Sequence, residues 1–218
     1  MKILHVISGG DTGGAKTHLL SLIKKLQNTE TIKIVCFVPG EFYKEAVALG
    51  YNVVLLKQLT RFDLKVVKQI LTIIKDEGFD ILHCHGARAN FIALLIKKHI
   101  NIPFVTTVHS DFNQDFANNF IKNLIFTPLN KIALKKFDYY IAVSEELKLL
   151  LNKNGIDNSK IFVVNNGIEF NTDTKPISRE DFRKKYSITC PLDDAWVGIA
   201  ARFHIVKGHK IFIINYFF

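Results

Sequence analysis

Several clusters of residues have the types and spacing that chemistry needs. Near the amino end, Gly9, Gly10, Gly13 and Gly14 separate the apolar run Ile3 to Ile7 from Leu19, Leu20, Leu22, Ile23 and Leu26, which recur at helical spacing. A strand feeding a glycine loop and then a helix offers an anion free N–H groups, a positive dipole end and a backbone open to close approach. The same residues serve equally well as a plain connecting turn. Gly10 to Thr17 has the spacing of a P-loop. However, Ala15 stands where the last glycine belongs, and no apolar strand ends in a magnesium-binding aspartate, so a nucleotide hydrolase is disfavoured.

His83, Cys84 and His85 invite a metal reading. Alternate side chains of a strand diverge, so Cys84 leaves the two histidines, and no third ligand is evident. No metal is therefore expected. His85 is expected to face a crevice at its strand's end, and His109 closes another strand in Thr106-Thr-Val-His-Ser. Ser144 follows a third strand. Arg202 and Lys207 precede a turn at Gly208. A planar guanidinium fork and an ammonium suit a diphosphate, although ordinary surface charge explains the pair taken alone.

The elements that must position these groups alternate. Strands are expected at Ile3 to Ile7, Ile32 to Val38, Val53 to Leu56, Asp80 to His85, Phe104 to Val108, Asp138 to Val143 and Ile161 to Val164. Helices fall between them: Glu41 to Leu49, one capped by Asp63, Ala87 to His99, Asn119 to Lys136, and Glu145 to Asn154 capped by Ser144. Strands apolar on both faces imply an α/β fold, a Rossmann-like parallel sheet with helices on both faces and right-handed crossovers. Ligands bind such sheets beyond the carboxyl ends of the strands, where the glycine loop, His85, His109 and Ser144 would gather in one crevice. Residues 1–171 form this domain. Residues 172–194 read as a polar linker holding Pro176, Pro191 and a short helix from Arg179 to Tyr186. Ala195 to Ala200 reads as a buried strand opening a second domain at 195–218 that has no room to finish.

Composition narrows the partners. The formal charge of +9, mostly from lysine, suits phosphate-bearing ligands or an anionic membrane surface. No zinc-finger spacing or RNA-binding aromatic signature accompanies it, so nucleic acid is not expected. Cys36, Cys84 and Cys190 are odd in number and unpatterned, as in a reducing cytoplasm. No run is long enough for a membrane span or a signal-peptide core. Asn118 to Phe137 mixes apolar residues with Lys122, Lys131, Lys135 and Lys136. A helix on the sheet with lysines outward explains it more simply than a helix lying on an anionic membrane, which stays open as a peripheral contact.

Taken in order, these pieces resemble the family 4 glycosyltransferases, which have the GT-B fold. The matching pieces are Gly13-Gly14-Ala-Lys-Thr-His after the first strand, and Asp80-Ile-Leu-His-Cys-His with Pro103-Phe-Val-Thr-Thr-Val-His109. Ile141-Ala-Val-Ser144 with Val164-Asn-Asn-Gly-Ile-Glu169 follows, and then Val197-Gly-Ile-Ala-Ala-Arg202 through Lys207-Gly208. The order and spacing are specific although no single piece is. The resemblance implies two Rossmann-like domains, the first on the acceptor side and the second binding a nucleotide-sugar donor as co-substrate, with no metal or other cofactor. By resemblance, Gly13 and Gly14 let the donor diphosphate approach, Arg202 and Lys207 neutralise it as it leaves, and His109, His85 and Ser144 meet the donor sugar or a glycan or lipid-linked acceptor. The transition state is oxocarbenium-like and the leaving group gains charge, so fixed cations at the diphosphate lower the barrier. The family's second domain carries a glutamate pair eight positions apart, and no two glutamates here are eight apart. The expectation is a truncated glycosyltransferase, inactive alone, or else an acceptor- or membrane-binding module that works with a separate catalytic chain.

Overall fold

The computed structural model describes residues 1–58, 60, 63–113, 120–167, 176–191, 193–201, 203 and 207–217, with backbone alone at 120–123 and 216–217. The chain divides into two compact units, Met1–Ile168 and Glu169–Phe218.

In the first unit strands and helices alternate. The strands are β1 (Lys2–Ile7), β2 (Thr31–Cys36), β3 (Val53–Leu55), β4 (Ile81–His85), β5 (Phe104–Val108), β6 (Tyr139–Ala142) and β7 (Ile161–Val163). The helices are α1 (Gly14–Leu26), α2 (Glu41–Ala48), α3 (Lys65–Glu77), α4 (Gly86–Ile96), α5 (Phe120–Leu134) and α6 (Glu145–Lys153). All strand pairs are parallel, in the order β3-β2-β1-β4-β5-β6-β7. The expected α/β architecture is thus the observed one. The chain winds outward from β1 to β3, then returns to lay β4 on the other side of β1. That reversal makes the carboxyl ends of β1 and β4 a topological switch point, where a crevice forms between loops that diverge.

The two sheet faces sort the core as strand alternation requires. Leu4, Val6, Val35, Leu82, Cys84 and Phe104 share one cluster with Ile70 of α3, Ile92 of α4 and Leu151 of α6. Ile7, Ile34 and Cys36 turn the opposite way, onto Leu19 and Ile23 of α1 and Phe42 of α2. Several ends form as the residues suggest. Gly78 closes α3 in the left-handed conformation, and the Ser144 hydroxyl accepts the Leu147 N–H at 3.4 Å as the amino-terminal cap of α6. Asp63 sits one residue outside the cap of α3, and its carboxylate accepts the Lys65 N–H at 3.1 Å.

The second unit has α7 (Arg179–Lys185), capped by Ser178, and α8 (His209–Phe217). The Arg179 guanidinium lies 4.5 Å over the Trp196 ring, and Phe182 meets the same ring at 6.2 Å. The buried strand expected at Ala195 to Ala200 does not form: these residues are irregular, with Val197 and Ile199 exposed. The short apolar run was there to read, but a strand needs a neighbour to pair with, and no described residue of this unit supplies one.

Candidate active-site cleft

A cleft of ≈ 310 Å³ opens at the carboxyl ends of β1, β4 and β5, lined by Ser8, Asp11, His85, Arg88, His109 and Ser110 among others. It lies where the switch point places it. The glycine loop forms one wall, and its glycines divide into two kinds. A Cβ on Gly9, whose φ is +95°, would meet the Val38 carbonyl oxygen at 2.4 Å, and one on Gly40 would meet the Gly10 Cα at 2.4 Å. These positions lock the loop against the Val38–Gly40 turn. Gly14 is the first residue of α1, and a Cβ there would have nothing within 4 Å. The helix start is exposed, preceded by Gly13 with φ 69°, and has no acidic residue in its first turn. Its free N–H groups and dipole are therefore not spent on the protein's own carboxylates.

Lys16, the residue that would serve a P-loop, is committed elsewhere. Its ammonium pairs with Glu41 at 2.6 Å and Glu45 at 2.7 Å on α2. This agrees with the sequence argument against a nucleotide hydrolase.

The other wall carries a row of histidines. His5 on β1 pairs in register with His83 on β4, and His83 and His85 share that face. His5 Nδ1 is 3.1 Å from His85 Nε2, and His85 Nδ1 is 3.3 Å from His109 Nε2 at the end of β5. His83 Nε2 bonds the Thr107 hydroxyl at 2.8 Å. The His18 ring of α1 meets the His109 ring edge-on, centroids 5.1 Å apart. Burial lowers the basicity of all five rings: His5 to about 3, His109 to about 4, His83 and His85 well below the ordinary value, and His18 also downward, against an Asn166 hydrogen bond that opposes the shift. They stand as neutral imidazoles near pH 7.

His5 is the third histidine that the sequence did not reveal. Its signal was present only as strand register, which places a residue of β1 beside one of β4. One ring nitrogen from each of His5, His83 and His85 lies within 4.8 Å of the others. Zinc at about 2.0–2.1 Å from each nitrogen would draw them to roughly 3.4 Å apart. His5 thus supplies the third ligand that the sequence left out, and these three rings are the residues that could hold a metal ion; His5 Nδ1 and His85 Nε2 already stand within hydrogen-bond distance at 3.1 Å.

Charge reaches the cleft through Arg88 on α4, a second residue that sequence reading passed over. Its Nε donates to Gln58 Oε1 at 2.8 Å, and the guanidinium lies 5.4 Å over the Phe37 ring. Asp11 sits on the glycine-loop side, accepting the Gly9 N–H at 3.0 Å, with its carboxyl pushed up by burial. Also lining the cleft, Asn90 donates to Asn130 at 3.1 Å and accepts from the Thr106 hydroxyl at 2.9 Å, tying α4, α5 and β5 together.

The structure thus brings together Gly13, Gly14, His85 and His109 at one end of the sheet. Ser144 follows β6, where its hydroxyl is occupied in capping α6, and it is not among the lining residues. Lys207 lies exposed in the second unit, and Arg202 falls outside the described residues.

Comparison with known proteins agrees with this architecture. The sequence profile of Glycosyltransferase Family 4 matches residues 12–172. The chain is 24% identical over 224 residues to a Bacillus subtilis (strain 168) protein named as glycosyltransferase EpsF, covering 97% of this chain and 56% of that one. It is 22% identical over 192 residues to an Escherichia coli enzyme, UDP-Gal:alpha-D-GlcNAc-diphosphoundecaprenol alpha-1,3-galactosyltransferase, covering 85% and 49%. Among solved structures, Anabaena Alr3699/HepE in complex with UDP and glucose superposes with a TM-score of 0.67 at 18% identity, covering 86% of this chain and 50% of that one. The chain spans about half the length of the curated relatives it matches. On the strength of a profile covering most of the first unit and a fold that agrees with it, the chain belongs to Glycosyltransferase Family 4.

Proposed function

We propose that this chain provides the acceptor-side domain of an enzyme that transfers a hexosyl or related sugar from a nucleotide donor to a hydroxyl of a glycan or lipid-linked acceptor. The observation that carries the reading is the cleft at the switch point. It is lined on the loop side by Asp11 and Ala15, the latter next to the open helix start at Gly14, and it has a neutral histidine wall ending at His109 and Arg88 held in place by Gln58. Gly13 and Gly14 would admit the donor diphosphate. Charge grows on the leaving diphosphate in the transition state, so fixed N–H dipoles there act where they lower the barrier. His109, backed by His85, would hydrogen-bond a sugar hydroxyl. No metal or organic cofactor is required by this arrangement. The solved relative with UDP and glucose bound supports a uridine-diphosphate sugar as the donor class.

A second reading rests on α5. Leu124, Ile125 and Ile132 are exposed there, beside Lys131, Lys135 and Lys136. No described helix is long and apolar enough to cross a membrane, but this face suits docking on an anionic lipid surface where a lipid-linked acceptor resides, on the cytoplasmic side. Labelled sugar transfer from UDP-glucose separates the readings. We expect none from this chain alone and turnover once a donor-binding domain of the family is added. Vesicle binding without turnover in the mixture would leave only the docking role, and turnover by the chain alone would overturn its dependence on a second domain.

A further inference from the structure

The histidine row has a property that none of its members has alone. A neutral imidazole carries one N–H and one lone pair. His85 spends both ring nitrogens within the row, one toward His5 at 3.1 Å and one toward His109 at 3.3 Å. It must donate at one contact and accept at the other, so the two hydrogen bonds cannot choose their directions independently.

Two arrangements follow. In the first, His5 Nδ1–H donates to His85 Nε2, His85 Nδ1–H donates to His109 Nε2, and His109 keeps its proton on Nδ1. In the second, every bond is reversed and the spare proton sits on His5 Nε2. Among the described residues, the histidine nitrogens buried without a hydrogen-bond partner are His5 Nε2 and His109 Nδ1, the two ends of this row. One of them must hold an unsatisfied N–H and the other a bare lone pair. His5 is fully buried within the sheet, and no described group accepts from an N–H at its Nε2. His109 Nδ1 is covered too, but its residue is only part-buried and lines the cleft, so a small turn of the ring brings an N–H there to a ligand or solvent oxygen, a movement closed to the wholly buried His5. A buried donor without an acceptor is the costlier fault, so the first arrangement wins. His83 stands beside the row with its Nε2 on the Thr107 hydroxyl, and His18 touches only the ring edge of His109.

We propose that His5 and His85 are positioning residues that hold His109 in its Nδ1–H form, so that the cleft meets a sugar hydroxyl or oxyanion with a hydrogen-bond donor rather than a base. The class of ligand rests on the reading of the cleft as a glycosyl-transfer site; the tautomer does not.

The test is long-range ¹H–¹⁵N correlation on the full chain, labelled at histidine, above neutral pH. The expected spectrum shows His85 and His109 with Nδ1 in the protonated range and Nε2 in the bare range, the reverse of the preference of a free histidine side chain. His109 protonated at Nε2 would overturn the proposal. In His5→Leu the donor to His85 is gone, and His109 is expected to shift to the Nε2–H form. In His5→Asn the amide nitrogen can take the place of Nδ1, and the original pattern is expected to return. An unchanged His109 in His5→Leu, or a His5→Asn spectrum that has lost the Nδ1–H pattern, would count against His5 as the determinant. If the leucine variant does not fold, the wild-type and His5→Asn spectra still decide. Because a ring resonance is read, the result stands whether or not the chain supports sugar transfer.

Discussion

Gly9 and Gly14 lie five residues apart in one loop, and the structure assigns them opposite sensitivities. Alanine at Gly9 would adopt a φ of +95° and place its Cβ 2.4 Å from the Val38 carbonyl oxygen and 3.0 Å from the Cys36 Cβ. The left-handed backbone costs about 1–2 kcal/mol and the overpacking about 1–3 kcal/mol, so Gly9→Ala is expected to lose about 2–4 kcal/mol after partial relaxation. For a unit of this size that is a fall in Tm of roughly 4–16 °C. Alanine at Gly14 meets nothing within 4 Å and stands at the first position of a helix, so Gly14→Ala should be neutral or stabilising by up to about 1 kcal/mol. Parallel urea and thermal melts of the two variants, followed by far-ultraviolet circular dichroism, measure the difference. Gly9→Ala within 1 °C or so of the wild type, or Gly14→Ala falling as far as Gly9→Ala, would refute the division into locking and ligand-facing glycines.

Two further outcomes follow from the same geometry. The buried histidines titrate below their ordinary value of 6.5, with His5 near 3 and His109 near 4, so the unfolded chain binds more protons between pH 6.5 and those values. Stability is fully present above pH 6.5 and falls as pH drops below it, by about 1.4 kcal/mol per pH unit for each ring that stays neutral. Urea midpoints at pH 7.5, 6 and 5, chosen to bracket that window, should decline with a slope steeper than one ring accounts for; a flat profile would deny the burial of the row. Lys16→Met removes two surface ion pairs to Glu41 and Glu45 and should change stability little while leaving binding of a nucleoside diphosphate sugar unchanged. Loss of that binding would restore Lys16 as a phosphate ligand.

How much of this was legible in the sequence depended on how local the signal was. Strand runs such as Ile3 to Ile7, the cap at Ser144 and the stop at Gly78 are decided by neighbours a few residues away, and the structure has them where they were expected. The gathering of the glycine loop, His85 and His109 followed from topology, because parallel strands carry their following loops to one end. His5 was invisible because its importance arises from register with His83 on a strand far along the chain. Arg88 was passed over because a single arginine on a helix carries no periodic signal until Gln58 and Phe37 are seen to hold it. Ala195 to Ala200 misled in the other direction: a short apolar run reports a willingness to pair, and the partner must come from elsewhere.

The central claim is that the switch-point cleft receives the sugar nucleotide along the open start of α1. Amide shift mapping of this chain during titration with UDP-glucose addresses it without requiring turnover. The account expects the largest changes at Gly13 to Ala15, Gly86 to Arg88 and His109 to Ser110, and their loss in Gly14→Val with the fold intact. Changes centred on other residues, or an undiminished response in Gly14→Val, would contradict it.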